Sequence, residues 1–171
     1  MSGRTEVRAY LGLGGNLGDP ASAMASALRM IDVDDAASVV SVSSLYRTPP
    51  WGKTDQPDFL NCAAEIATTH DPRSLLELCL TTEQTLKRVR LERWGPRIVD
   101  LDVLVYGDAI IAEPGLAIPH PRMLERAFVM VPLAQIAPGL VLSGRTVADH
   151  TARLDITGIT RLETRDFWWR D

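Results

Sequence analysis

Asp100 and Asp102 are the residues most suited to chemistry, because of where their spacing would put them. Residues two apart on a strand share a face, so in the run Ile98–Tyr106 the two carboxylates would stand about 7 Å apart along the chain. Val99, Leu101, Val103 and Val105 would then turn the other way, into the core. Two carboxylates converging on one side of an apolar strand repel each other unless a cation lies between them. Hard oxygen donors of this kind suit Mg2+, which binds through one or two carboxylates and completes its shell with waters and substrate phosphates. A bare D-x-D is equally at home on a solvent-facing edge strand, where charge guards against edge-to-edge pairing.

The neighbouring residues favour the chemical reading. Lys87, Arg88, Arg90, Arg93 and Arg97 place five of the protein's 18 basic residues within one short stretch, against a single acid, Glu92. Arginine grips phosphate oxygens bidentately, and phosphoryl transfer needs little beyond alignment and charge stabilisation. A basic stretch alone would suit a helix C-terminus. Combined with the rigid turn Trp94-Gly95-Pro96 and the paired aspartates, it points to a magnesium-nucleotide site in an enzyme that transfers phosphoryl-type groups. The glycines from Gly12 to Gly18 lack the Gly-Lys-Ser/Thr ending of a P-loop and the spacing of a dinucleotide fingerprint. They fit a backbone approach to a ligand or a plain strand-to-helix loop equally well. His120, between two prolines, could donate to a phosphate or be merely structural.

The elements that must position these groups can be read from periodicity and punctuation. Val7–Leu13 reads as a buried strand running into the glycine loop. Asp19-Pro20 opens a helix with Met24, Leu28 and Ile31 on one face. Residues 38–48 are strand-like in composition and end at Pro49-Pro50, with a loop as far as Pro57. Phe59–Thr68 is the next strand, and Asp71-Pro72 starts a helix whose apolar side carries Leu75, Cys79 and Leu86. Ile98–Tyr106 is the strongest strand, and a further helix is expected from about Glu125 to Ile136. The order strand, helix, strand, strand, helix, strand predicts an α+β, ferredoxin-like βαββαβ core: an antiparallel sheet with helices on one face and a C-terminal helical and irregular extension. Residues 143–171, including Asp166-Phe167-Trp168-Trp169, suit either a cover on the domain or a tail.

The 171 residues, 46% hydrophobic and 23% charged, allow one domain with a substantial core. The net charge of −4 argues against a sequence-independent nucleic-acid binder. No apolar run reaches the roughly 20 residues of a membrane span, and Met1–Glu6 lacks the apolar core of a secretory signal. A cytoplasmic monomer without nucleic-acid or membrane partners is expected. Cys62 and Cys79 match no metal or redox spacing and read as buried, reduced thiols.

Several separated segments resemble the 6-hydroxymethyl-7,8-dihydropterin pyrophosphokinases of folate biosynthesis: Leu13–Asp19, Ser44–Pro50, Asp55–Asn61, Arg93–Asp102 and Ile118–Met123. The likeness covers roughly residues 7–142 of a single pyrophosphokinase domain, leaving 143–171 as the extension; the run Arg93–Asp102 is its most specific part. The resemblance implies transfer of the β,γ-pyrophosphoryl group of ATP to the hydroxymethyl oxygen of the dihydropterin, with release of AMP. It implies two Mg2+ ions on Asp100 and Asp102, with Arg88 and Arg97 gripping phosphates as catalytic groups and Arg90 helping from a mobile loop. Glu83, Val103, His120 and Arg126 would lie near the nucleotide. The pterin would lie between Phe59 and Phe128, with Asn61 at its edge, Thr48, Pro49, Pro50 and Trp51 beside it, and Trp94 closing over the site. Outside that context Phe59 and Phe128 would read as core residues. The chain departs from the common family pattern at Gly15, Lys87, Ile98, Gly115, Ala117 and Leu124.

Two other readings fit the residues. One is a nucleotidyl- or glycosyltransferase that holds a metal-nucleotide through D-x-D. The other is a ferredoxin-like module that senses nucleotide without turnover.

Overall fold

The computed structural model describes residues 5–50, 55–92 and 99–170, with 88–92 by their backbone. Its first strand, β1 (Val7–Gly15), runs past the expected end into the glycines, so Gly12 and Gly14 belong to a strand and not to a loop. Helix α1 (Pro20–Asp32) starts as its sequence dictates: the Asp19 carboxylate accepts from Ser22 N–H at 3.1 Å, with proline in the first turn. The strand expected over 38–48 is two, β2 (Ala37–Val42) and β3 (Tyr46–Thr48). The break falls at Ser43-Ser44, whose side chains hydrogen-bond to backbone or nearby side chains instead of packing on a pleat. Strand β4 (Phe59–Thr68) and helix α2 (Pro72–Glu92) follow, the latter capped by Asp71 accepting from Ser74 N–H at 2.8 Å.

Helix α2 contains Arg88 and Arg90, so Arg90 is not on a loop. From Leu86 to Glu92 the chain is made of residues compatible with a helix, and the first breakers are Gly95-Pro96. Strand β5 (Asp100–Tyr106) is followed by a hairpin of β6 (Ile111–Glu113) and β7 (Leu116–Ile118). The helix expected from Glu125 begins at Ala127: Met123–Glu125 is a 3-10 turn, Arg126 is extended, and α3 spans Ala127–Ile136.

The main sheet is antiparallel in the order β10-β3-β4-β1-β5, with β2 also paired to β4; β10 is Thr160–Arg161. The core strands thus have the ferredoxin-like arrangement. Helices cover both faces, not one. Helices α1 and α2 bury Met24, Leu28, Ile31, Leu75 and Cys79 against Leu11, Leu13, Ile66, Leu101 and Val103. On the other face α3 buries Met130 and Leu133 against Ala63, Leu104 and Val105. Val105 therefore does not share a face with Val99, Leu101 and Val103. The register slips by one residue where Tyr10 and Leu11 meet Val105 and Val103, and such a bulge reverses the alternation beyond it.

The C-terminal extension covers the domain. After β8 (Val141–Leu142), β9 (Arg145–Thr146) and α4 (Val147–Ala152), β10 joins the sheet beside β3, and Trp169 is only 3% exposed, within the core under α1. Both cysteines are buried and free, and burial pushes the Cys79 thiol up to about 12 and the Cys62 thiol higher. Among the described residues no helix is long and apolar enough to cross a membrane.

Candidate active site

The site is laid out by sheet register. Asp100 pairs with Gly14, Gly14 with Asn61, and Asn61 with Tyr46; one step along, Asp102 pairs with Gly12 and Gly12 with Ala63. These rows lie on the face that α3 covers further along. In the middle of each row stands a glycine. A Cβ on Gly14 would collide with the Asn61 amide oxygen, and one on Gly12 would touch Leu104 at 3.4 Å. The glycines therefore keep the floor between the aspartates and Asn61 open, a role that their spacing of two could have signalled.

Three cavities meet along this floor. The largest, about 570 Å³, is lined by Thr48, Pro49, Phe59, Asn61, Arg126 and Phe128, with Arg122 and Glu125 at its rim. A smaller one of about 180 Å³ shares Phe59, Asn61, Arg126 and Phe128 with it and reaches Gly12, Gly14, Asp100 and Asp102. The third, about 340 Å³, lies beyond Asp102 and is lined by Leu76, Leu101, Val103, Leu116, Ala117 and His120. Asp102 lines both of the latter two.

Electrostatics mark the aspartate edge. Burial and the charge of Asp102 raise the Asp100 carboxyl above the usual range, against a smaller opposing pull from Lys87. Glu83 is raised as well, by burial above all, although its Oε1 accepts the Leu101 N–H at 2.6 Å. Strand β5 is the sheet edge, so this bond gives a partner to an amide lying between the two aspartates. Burial lowers His120, with Asp102 pulling the other way. Its Nδ1 accepts the Arg122 N–H at 3.2 Å, so the neutral ring carries its proton on Nε2. Asn61 donates to Thr48 Oγ1 at 2.9 Å, fixing its amide orientation.

The donor set fits magnesium. Two carboxylates that repel each other face a cavity, and among the described residues no group of three or more His, Cys, Asp or Glu gathers that would make a closed protein cage. Such a site leaves coordination positions for water and phosphate.

The structure brings together Thr48, Pro49, Phe59, Asn61, Phe128 and Arg126 on one side of the aspartates, and Val103 and His120 on the other. Arg126 stands with the phenylalanines, its guanidinium 5.7 Å from the Phe128 ring centre, on the cavity that reaches Asp100 and Asp102, and its charge also acts on His120. Glu83 meets the backbone of β5 and lines none of the three cavities. Pro50 lies next to Pro49 but lines none of the three cavities. Trp51, Trp94 and Arg97 lie outside the described residues, as do the side chains of Arg88 and Arg90. Gly12 and Gly14, for which the sequence left a ligand approach and a plain loop equally open, belong to the lining, as do Leu76 and Leu101, which the sequence did not mark as site residues.

A ferredoxin-like sheet whose paired aspartates stand between an aromatic cavity and a second, half-polar one has the layout of a two-substrate enzyme. The model of the family 7,8-dihydro-6-hydroxymethylpterin-pyrophosphokinase (HPPK) matches residues 10–138. A 2-amino-4-hydroxy-6-hydroxymethyldihydropteridine pyrophosphokinase of Methylorubrum extorquens is 52% identical over 157 residues, covering 92% of this chain and 99% of that protein. The protein of the same name from Bacillus subtilis is 46% identical over 128 residues, 75% of this chain and 77% of its own. In fold, the chain is similar to the wild-type HPPK-DHPS of Plasmodium falciparum, with a TM-score of 0.69 at 15% identity, covering 87% of this chain and 44% of that one. The chain belongs to the HPPK family and is a pyrophosphokinase.

Proposed function

We infer that this chain transfers pyrophosphate from ATP to the hydroxymethyl group of 6-hydroxymethyl-7,8-dihydropterin in folate biosynthesis, and that the three cavities divide acceptor, transferred group and nucleoside between them. The observation that carries the division is the place of Asp102, which lines the cavity reaching Phe59 and Phe128 and also the one reaching His120. The 570 Å³ cavity is of a size for a bicyclic ring, and its two phenylalanines suit stacking on a flat heterocycle. Asn61, with its amide held by Thr48, reads the ring edge; Pro49, Pro50, Trp51 and Trp94 complete the enclosure. On the far side Val103, Ala117 and His120 take the nucleoside, with Nε2 of the neutral histidine as a donor.

Transfer forms a bond from the hydroxymethyl oxygen to the β-phosphorus and breaks the bond from that phosphorus to the oxygen bridging it to the α-phosphate. That oxygen leaves with AMP, and the hydroxyl proton passes to solvent. Two Mg2+ ions held by Asp100 and Asp102 would neutralise the triphosphate oxygens. Arg88, Arg97 and Arg90 grip the phosphates, while Arg126, beside the aromatic cavity, contacts the transferred group. Glu83 acts at one remove, by fixing the strand that carries both aspartates. The chain works without nucleic acid or membrane, as a cytoplasmic monomer of one domain.

The deciding assay is AMP release from ATP and Mg2+ with and without the dihydropterin. Acceptor-dependent AMP with a pyrophosphorylated pterin is expected. A nucleotide-linked product would assign a nucleotidyltransferase, and binding without turnover a sensor module.

A further inference from the structure

We infer that the C-terminal segment 156–170 is a positioning element for the acceptor half of the site; this rests on the assignment of the Phe59–Phe128 cavity to the acceptor. The segment lies beyond the residues 10–138 that match the family model. It acts on β3, a strand of only three residues that leads directly into the cavity wall at Thr48 and Pro49. So short a strand is poorly fixed by one neighbour. Its second neighbour is β10, through pairs Arg47–Thr160 and Tyr46–Arg161, extended by Leu162 N–H donating to Leu45 O at 2.9 Å.

Just before β10 the chain turns at Gly158, whose φ of +85° favours glycine. A Cβ there would stand 3.2 Å from Pro49 Cγ. The turn therefore lies against the proline that lines the acceptor cavity. A second connection runs to the opposite wall. Arg161 Nε donates to Ser44 Oγ at 3.1 Å, and Gln135 Oε1 on α3 accepts from both Ser44 N–H at 2.9 Å and Tyr46 Oη at 2.8 Å. Trp168 Nε1 donates to Ser43 O at 3.0 Å. Because α3 also carries Phe128, Ser44 is the shared point where the segment, through Arg161, meets the bonds that join the approach to β3 with the helix of the Phe128 wall. Its far end is anchored by the buried Trp169, whose carbonyl accepts Arg29 Nη1 at 2.7 Å.

The test compares Gly158→Ala and Arg161→Gln with Gly144→Ala, a control in the same extension with φ +79° but nothing within 4 Å of its Cβ. The KM values for ATP and for the dihydropterin are measured separately, alongside melting curves. Gly158→Ala and Arg161→Gln should raise the acceptor KM about five- to tenfold while the ATP KM stays within about twofold; Gly144→Ala should leave both KM values unchanged, whatever it does to melting. An unchanged acceptor KM in folded variants, equal rises in both KM values, or the same split in Gly144→Ala would overturn the inference. So would failure of both the 158 and 161 variants to fold, which would make the segment a folding strap. If the parent enzyme itself shows no acceptor-dependent AMP release, the functional reading falls and this inference with it; a working parent with unmoved KM values sinks the inference alone.

Discussion

Asp100 holds its proton more tightly than an ordinary aspartate because it is partly buried beside Asp102. Its folded-state pKa lies above its unfolded one, so the ionised form subtracts stability at neutral pH, and the loss disappears as the pH falls through the raised value. Asp100→Asn should therefore melt no lower than the parent at pH 7 without metal, and the difference should shrink on acidification. The same substitution, or Asp102→Asn, should cut Mg2+-dependent turnover about a hundredfold or more. Melting curves from pH 5 to 8 and initial rates check the pair of effects; a destabilised but active Asp100→Asn would refute the metal assignment. Gly14 makes the complementary case, since what matters there is an absent side chain. Gly14→Ala would drive a methyl into the Asn61 amide oxygen. Overpacking of that kind costs about 1–3 kcal/mol, and the displaced amide should weaken acceptor binding more than ATP binding. Isothermal titration with each substrate measures the split, and equal weakening of both would show that Asn61 is not the group disturbed.

Between elements, the decisive bond is the one from α2 to β5, where Glu83 accepts the Leu101 amide between the two aspartates. Glu83→Ala leaves that edge amide to water and frees the strand end, whereas Glu83→Gln keeps an acceptor and removes a charge. Alanine should lower kcat about tenfold and glutamine clearly less; similar losses in both would mean that the charge, not the bond, is what counts. This bond also marks where sequence reading stops. The strand from Phe59 to Thr68 and the helix starts at Asp19 and Asp71 were legible because alternation and capping are local. The pairing of Asp100 and Asp102 on one face followed from strand period alone. The bulge that turns Val105 to the other face was not legible, because it depends on how β1 pairs with β5. Nor was the second covering layer: α3 is apolar almost throughout, so its period does not say which surface it meets. The place of Arg126 was not legible either: no local signal foretells the extended backbone just before α3 that puts it beside Phe128 and on the wall shared with the aspartates.

At the scale of the whole molecule, the last residues are joined to the first helix. Trp169 sits in the core cluster that includes Met24, Leu28 and Ile31 of α1, and Arg29 reaches its carbonyl. An aromatic pair in the sequence could not reveal this, because the contact spans 140 positions and owes nothing to local periodicity. If the extension is part of one cooperative unit, emptying that position should be felt by the entire fold and not by the tail alone. Large-to-small changes of a buried tryptophan cost about 3–5 kcal/mol. A domain of this size loses roughly 2–4 °C of melting temperature per kcal/mol, so Trp169→Ala should melt about 6–20 °C lower in a single transition. Near-ultraviolet circular dichroism of the parent and variant, followed together with far-ultraviolet signal, distinguishes the two possibilities. Coincident transitions at the lower temperature are expected. An unshifted main transition preceded by a small separate one would mean that the extension unfolds independently, and that the sheet stands without it.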